Sequence, residues 1–126
     1  AIILAGAYLL MRDNSSDSNL TGGTVDQSPE NSKTIIITSE NFKFFVDGAE
    51  NPEIRVKEGD KVRVEFTSKT GFHDFVIDEL DAATKQINAG QTDSIEFIAD
   101  KKGTFEYYCS VGQHRTNGMF GKFIVQ

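Results

Sequence analysis

Val62-Arg63-Val64-Glu65-Phe66 decides the fold. Apolar and charged side chains alternate strictly, which is the period of a β-strand with one face in a core and the other in water. Glu58-Gly59-Asp60, immediately upstream, is a turn signal. The same alternation recurs on either side. Ile35-Ile36-Ile37 is a β-branched run; His73, Phe75 and Ile77 share one parity, and so do Ile95, Phe97 and Ala99, closed by Asp100-Lys101-Lys102-Gly103. Phe105, Tyr107 and Cys109 share one face of a further strand, and Met119, Gly121, Phe123 and Val125 share one face of the last. Short strands punctuated by turns roughly every ten residues predict an all-β fold, an antiparallel sandwich or barrel. Only residues 1–11 and Leu80–Ile87 read as helical.

These strands occupy residues 34–126, one domain's worth of a 126-residue chain. Ten phenylalanines predict an aromatic-rich core. The net charge of -6 argues against nucleic acid, which requires a basic face, and against electrostatic membrane binding. A single cysteine excludes an internal disulfide. Residues 12–33 are rich in Ser, Asn, Asp and Gly without periodicity and read as a flexible linker spanning about 25 Å. Asn14-Ser-Ser and Asn19-Leu-Thr match the glycosylation acceptor pattern, as chance allows in such a composition. Residues 1–11 are apolar and uncharged, too short to cross a bilayer alone. Two readings compete for them: part of a membrane anchor or export segment, or a short packing helix that joins subunits. The polar linker that follows favours the first, and with it an extracytoplasmic, periplasmic, membrane-tethered location.

The chain has one cysteine and two histidines, and strand parity turns Cys109 and His73 inward. His114 and Met119 follow Cys109 in a single glycine-containing loop, so one donor from an upstream strand and three from this loop can converge at one end of the fold. A thiolate with imidazoles suits copper or zinc. A closed zinc site takes four strong ligands, whereas the fourth candidate here is a thioether, which Cu(I) tolerates. The expected cofactor is therefore one copper ion. Taken singly, His73 reads as a hydrogen-bonded core residue, and Cys109 and Met119 as core packing; their joint spacing reverses that reading. Tyr107 and Tyr108 read as core and rim packing, and Asp78, Glu79 and Asp81 as a solvated loop more readily than as a docking patch.

Gly103-Thr-Phe-Glu-Tyr-Tyr-Cys109-Ser110, the Cys109-x4-His114-x4-Met119 loop and His73-Asp74-Phe75 resemble the cupredoxins, the family of plastocyanin, azurin, auracyanin and rusticyanin. The loop is longer than plastocyanin's and its spacing is similar to that of auracyanin and rusticyanin. The resemblance implies a Greek-key antiparallel β-sandwich, with His73, Cys109 and His114 as equatorial copper ligands and Met119 as the weak axial one. It places a further axial contact, in the azurin subfamily, at the backbone carbonyl of Phe72. Asp74 departs from the commoner asparagine; its carboxylate is expected to accept from Ser110 and to lower the reduction potential.

The function implied is a type 1 copper electron carrier cycling between Cu(I) and Cu(II), not an enzyme. Electrons would leave by the edge of His114, through an apolar docking patch of Gly71, Phe72, Val111, Gly112, Gly118 and Phe120, toward redox partner proteins such as cytochromes or oxidase and reductase complexes. Copper nitrite reductases and multicopper oxidases need further histidines, and a dinuclear centre needs a second cysteine; this sequence has neither. Copper storage or delivery is the alternative, with the same ligands in a more open site. A third reading makes the domain a redox head displayed on a membrane complex or filament, with membrane contact or self-association through residues 1–11.

Overall fold

Val62, Val64 and Phe66 are fully buried within an eight-residue strand of the computed structural model, which describes residues 31–126. The strands run β1 Ser32–Glu40, β2 Lys43–Val46, β3 Ala49–Glu50, β4 Ile54–Val56, β5 Lys61–Ser68, β6 Val76–Ile77, β7 Ala82–Ala83, β8 Thr92–Ile98, β9 Gly103–Tyr108 and β10 Phe120–Val125. They form two five-stranded sheets, ordered β8-β5-β1-β2-β3 and β4-β10-β9-β6-β7. This is the expected all-β sandwich. β1 begins at Ser32, two residues before the domain start expected at Thr34. The apolar stretch 1–11 and the linker as far as residue 30 lie outside the described residues.

Most neighbouring strands pair antiparallel, but β1 runs parallel to β5 and β4 parallel to β10. The reason lies in the path of the chain. Parallel neighbours need a crossover: between β1 and β5 the chain continues through β2 and β3 in the first sheet, then crosses after Glu50 to place β4 beside β10 in the second. The parallel register sets Ile35 against Val64 and Ile37 against Phe66, so the β-branched run and the alternating strand bury one common face.

Leu80–Ile87 is not helical. A short 3-10 turn at Asp78–Leu80 gives way to β7, and Ile87 pairs with His73 through an isolated bridge. Burial explains the difference: Leu80, Ala82 and Thr84 are buried while Asp81, Ala83 and Lys85 are exposed, a period of two that propensity alone did not reveal. Asp81, at φ 52°, breaks the helical turn.

Aromatic rings fill the space between the sheets beneath the site. Phe44 lies 5.8 Å from Phe66, 5.8 Å from Phe75 and 5.3 Å from Tyr107, and Phe75 stacks on Tyr107 at 5.4 Å. Each such pair adds about 0.5–1.5 kcal/mol beyond burial. The Tyr107 hydroxyl donates to the Pro52 carbonyl at 2.7 Å, so its ring must cross the face of β10. Gly121, opposite Tyr107 in the register, leaves the room; a Cβ there would lie 2.7 Å from the ring's Cε2. Gly121→Ala is therefore expected to destabilise the domain by about 1–3 kcal/mol, read as a lower denaturation midpoint. An unchanged midpoint would show that the Tyr107 ring can move aside.

Candidate metal centre

Cys109 directly follows β9, fully buried, and its backbone N–H donates to the Met119 carbonyl at 3.2 Å. That bond closes the loop at its base. Within it, the His114 N–H donates to the Val111 carbonyl and the Met119 N–H to the His114 carbonyl, each at 3.0 Å. The loop is pinned from outside by Asn51, whose Nδ2 donates to the Gly118 carbonyl at 3.2 Å. His73 comes from the other ligand segment. It is 2% exposed and held by reciprocal backbone bonds with Ile87 at 3.0 and 2.9 Å. Gly71, at φ 81°, makes way for the ring, since a Cβ there would lie 2.8 Å from His73 Nε2.

These segments bring three donors together. The Nδ1 atoms of His73 and His114 are 3.2 Å apart, and Cys109 Sγ lies 3.8 Å from the first and 3.5 Å from the second. A cation about 2.0 Å from two nitrogens and about 2.3 Å from a sulfur, in one plane with them, separates N from N by about 3.5 Å and N from S by about 3.7 Å. The triangle present is close to that, so the residues fit a trigonal metal. Met119, fully buried at the end of the same loop, places a thioether beside it. Two imidazoles, a thiolate and a thioether form the copper-selective set.

The electrostatics favour the neutral forms of His73 and Cys109 until a cation arrives. Burial, and then the neighbouring His114, hold the His73 imidazole below its ordinary pKa; a hydrogen bond with the Thr70 backbone opposes this. Burial pushes the Cys109 thiol up. Loading a metal must therefore expel the thiol proton, and the cation's charge stabilises the thiolate that results. Behind Cys109, the carboxylate of Asp74 accepts the Ser110 N–H at 2.6 Å and the Ser110 hydroxyl at 2.5 Å. Asp74 is 4% exposed and follows His73, so these bonds tie the two ligand segments to each other.

The sequence matches the cupredoxin-like domain over residues 2–125. The chain belongs to this family. Among solved structures, rusticyanin from Thiobacillus ferrooxidans is similar at 26% identity and a TM-score of 0.65, over 76% of this chain and 78% of that one. Auracyanin from Roseiflexus castenholzii, solved in its dithionite-reduced form, is similar at 23% identity and a TM-score of 0.61, over 76% of this chain and 97% of that one. The L-ascorbate oxidase of Cucumis sativus is 33% identical over 101 residues, which is 68% of this chain and 17% of the oxidase. The chain spans about a fifth of the length of the curated relatives it matches.

Within this cupredoxin domain, His73, Cys109, His114 and Met119 occupy one end of the sandwich, with Asp74 and Ser110 behind them. His114 is half-buried and Phe72 and Phe120 are exposed, while Val111 and Gly118 are intermediate. Phe72 and Val111 border a shallow hollow of about 310 Å³ over the two imidazoles. Asp78, Glu79 and Asp81 are exposed; Asp78 accepts the Tyr108 hydroxyl at 2.7 Å. Arg115 stacks 3.8 Å over the Tyr108 ring and pairs with Glu106, which makes Tyr108 a rim residue.

Phe42, on the opposite side of the hollow, escaped sequence reasoning. Its ring centroid lies 4.7 Å from that of His114. The available signal was Asn41-Phe42 between two β-prone runs, a turn without the glycine that usually marks one.

Proposed function

We propose that the chain is a mononuclear type 1 copper electron-transfer protein. The observation that carries this reading is the triangle of two Nδ1 atoms and one Sγ within 3.8 Å of one another, two of the donors on one closed loop. Bound copper would supply a one-electron Cu(I)/Cu(II) couple. The protein's part is to hold His73, Cys109 and His114 in one geometry that both oxidation states accept, so that little reorganises when an electron moves. His73 and Cys109 are shut away from water, while the half-buried His114 reaches the surface among Phe42, Phe72 and Val111. An electron would enter and leave there. A small apolar surface of this kind suits brief contact with a redox partner protein.

Full-length chain given one equivalent of Cu(II) is expected to develop an intense visible thiolate-to-copper band and narrow copper hyperfine splitting in EPR. A colourless complex would overturn the reading. Met119→Gln should keep the band but lower the reduction potential by several tens of millivolts, because a harder axial oxygen favours Cu(II). An unchanged potential would remove Met119 from the ligand set.

Two features weigh against copper storage or delivery: Cys109 is fully buried, and the loop around it is closed by backbone bonds. Oxidase or reductase chemistry of the kind named for the longer relatives would call on histidines beyond His73 and His114, and the sequence has no others. The apolar stretch 1–11 and the polar residues after it support an extracytoplasmic, membrane-tethered setting. Fractionation of the expressing cells tests this directly, and recovery in the cytosol would refute it.

A further inference from the structure

β1 and β2 are joined by the two-residue turn Asn41-Phe42, between the paired residues Glu40 and Lys43. Both turn residues have positive φ, 51° for Asn41 and 62° for Phe42. A two-residue hairpin of this kind favours asparagine first and glycine second. The asparagine is present, but a bulky aromatic stands where glycine belongs, in a backbone region that such residues rarely enter. Strain of this sort persists where the surroundings gain from it.

The ring of Phe42 points over the metal centre. It meets the imidazole of His114 edge to face, with centroids 4.7 Å apart at 73°, and that of His73 at 6.3 Å and 90°. The two histidines are otherwise held very differently. His73 is 2% exposed, bridged to Ile87 and hydrogen-bonded to the Thr70 backbone. His114 is half-buried, and among the described residues its ring has hydrogen-bonding neighbours only at Nδ1, the atom that faces Cys109. Phe42 thus lies against the one ligand that has no other brace on its outer side.

We propose that Phe42 is a positioning residue: its ring fixes the orientation of the His114 imidazole and keeps water from the outer side of the metal centre. This rests on the copper reading for its redox consequence, though not for its effect on the ring. Loss of the Phe42 ring would let His114 rock and let water approach, which favours Cu(II) and speeds loss of the ion.

Phe42→Gly tests the idea in the full-length chain, because glycine suits the turn and the fold should be kept. Phe42→Asn serves if the glycine variant is not recovered, since asparagine also tolerates this φ. In copper-free protein, the His114 ring-proton resonances are expected to shift and broaden in the variant, as the neighbouring ring current is lost. In copper-loaded protein, copper release to a chelator should rise about tenfold. The preference for Cu(I) over Cu(II) should fall by a similar factor, which is about 59 mV for a one-electron couple. Phe42→Tyr, which keeps the ring, should restore wild-type behaviour in each measurement, and the copper-free melting midpoint of Phe42→Gly should not fall. The proposal is overturned if His114 resonances, release rate and potential all match wild type, or if Phe42→Tyr is as impaired as Phe42→Gly. A wild-type chain without the thiolate band would instead overturn the copper reading, while the copper-free resonances would still report whether Phe42 holds His114.

Discussion

Cys109→Ala is expected to abolish the visible charge-transfer band while the copper-free domain still folds. The band requires a thiolate donor, and Cys109 is the chain's sole sulfur of that kind. Without it the two imidazoles can still hold Cu(II) weakly, so the expected product is a pale complex with wide hyperfine splitting. Its EPR spectrum would resemble that of copper bound by nitrogen and water. The fold should tolerate the change because a buried thiol behaves as a small hydrophobe. Removing one sulfur atom from a buried position costs about 1 kcal/mol, and a shift of that size lowers the melting midpoint by about 4–8 °C in a domain this small. An intense band that survives in Cys109→Ala would rule out the ligand assignment. A variant that cannot fold without metal would mean that the thiol serves the core as much as the site.

Asp74→Asn is expected to raise the reduction potential by on the order of 100 mV. The carboxylate accepts two hydrogen bonds from Ser110, next to the thiolate ligand, and is nearly sealed from solvent. An asparagine can keep both contacts: its oxygen accepts the Ser110 N–H, and its amide donates to a rotated hydroxyl. What changes is the charge. A unit negative charge acting over a distance on the order of 7 Å, at an effective dielectric of about 20, would favour the higher oxidation state by about 2 kcal/mol, or roughly 100 mV for one electron. Removing that charge lifts the potential. Asp74→Ala would also free Ser110, so only the asparagine variant isolates charge from geometry. Voltammetry of the two variants separates these contributions. A potential in Asp74→Asn equal to wild type would mean that the carboxylate acts by tethering the loops alone.

The two ligand segments were legible because they are local. Cys109, His114 and Met119 lie within eleven residues of sequence, and their spacing survives any rearrangement of the sheets. Strand parity also carried through: Tyr107 and Cys109, His73 and Phe75, and the Val62–Phe66 alternation are all buried as their period required. The parallel pairing of β1 with β5 was not legible, since register between strands more than twenty residues apart leaves no local trace. The Leu80–Ile87 segment misled because leucine and alanine favour helix, while the buried face was set by a sheet edge formed elsewhere. Phe42 was missed for a similar reason. Its turn breaks the usual rule for hairpins, and its value depends on a histidine 72 positions further along.

The two parallel pairings also bear on how the site comes into being. Strands paired across a crossover close long loops before they gain contacts, so a topology of this type folds slowly, in milliseconds to seconds. His73 and the loop after β9 meet only once the second sheet has paired β6 and β10 with β9, and the unfolded chain offers copper no assembled pocket. Copper should therefore leave the rate of refolding almost untouched and act on the reverse step. By binding only the finished sandwich it would lengthen the lifetime of the native state, making the metal a lock applied after folding and not a seed for it.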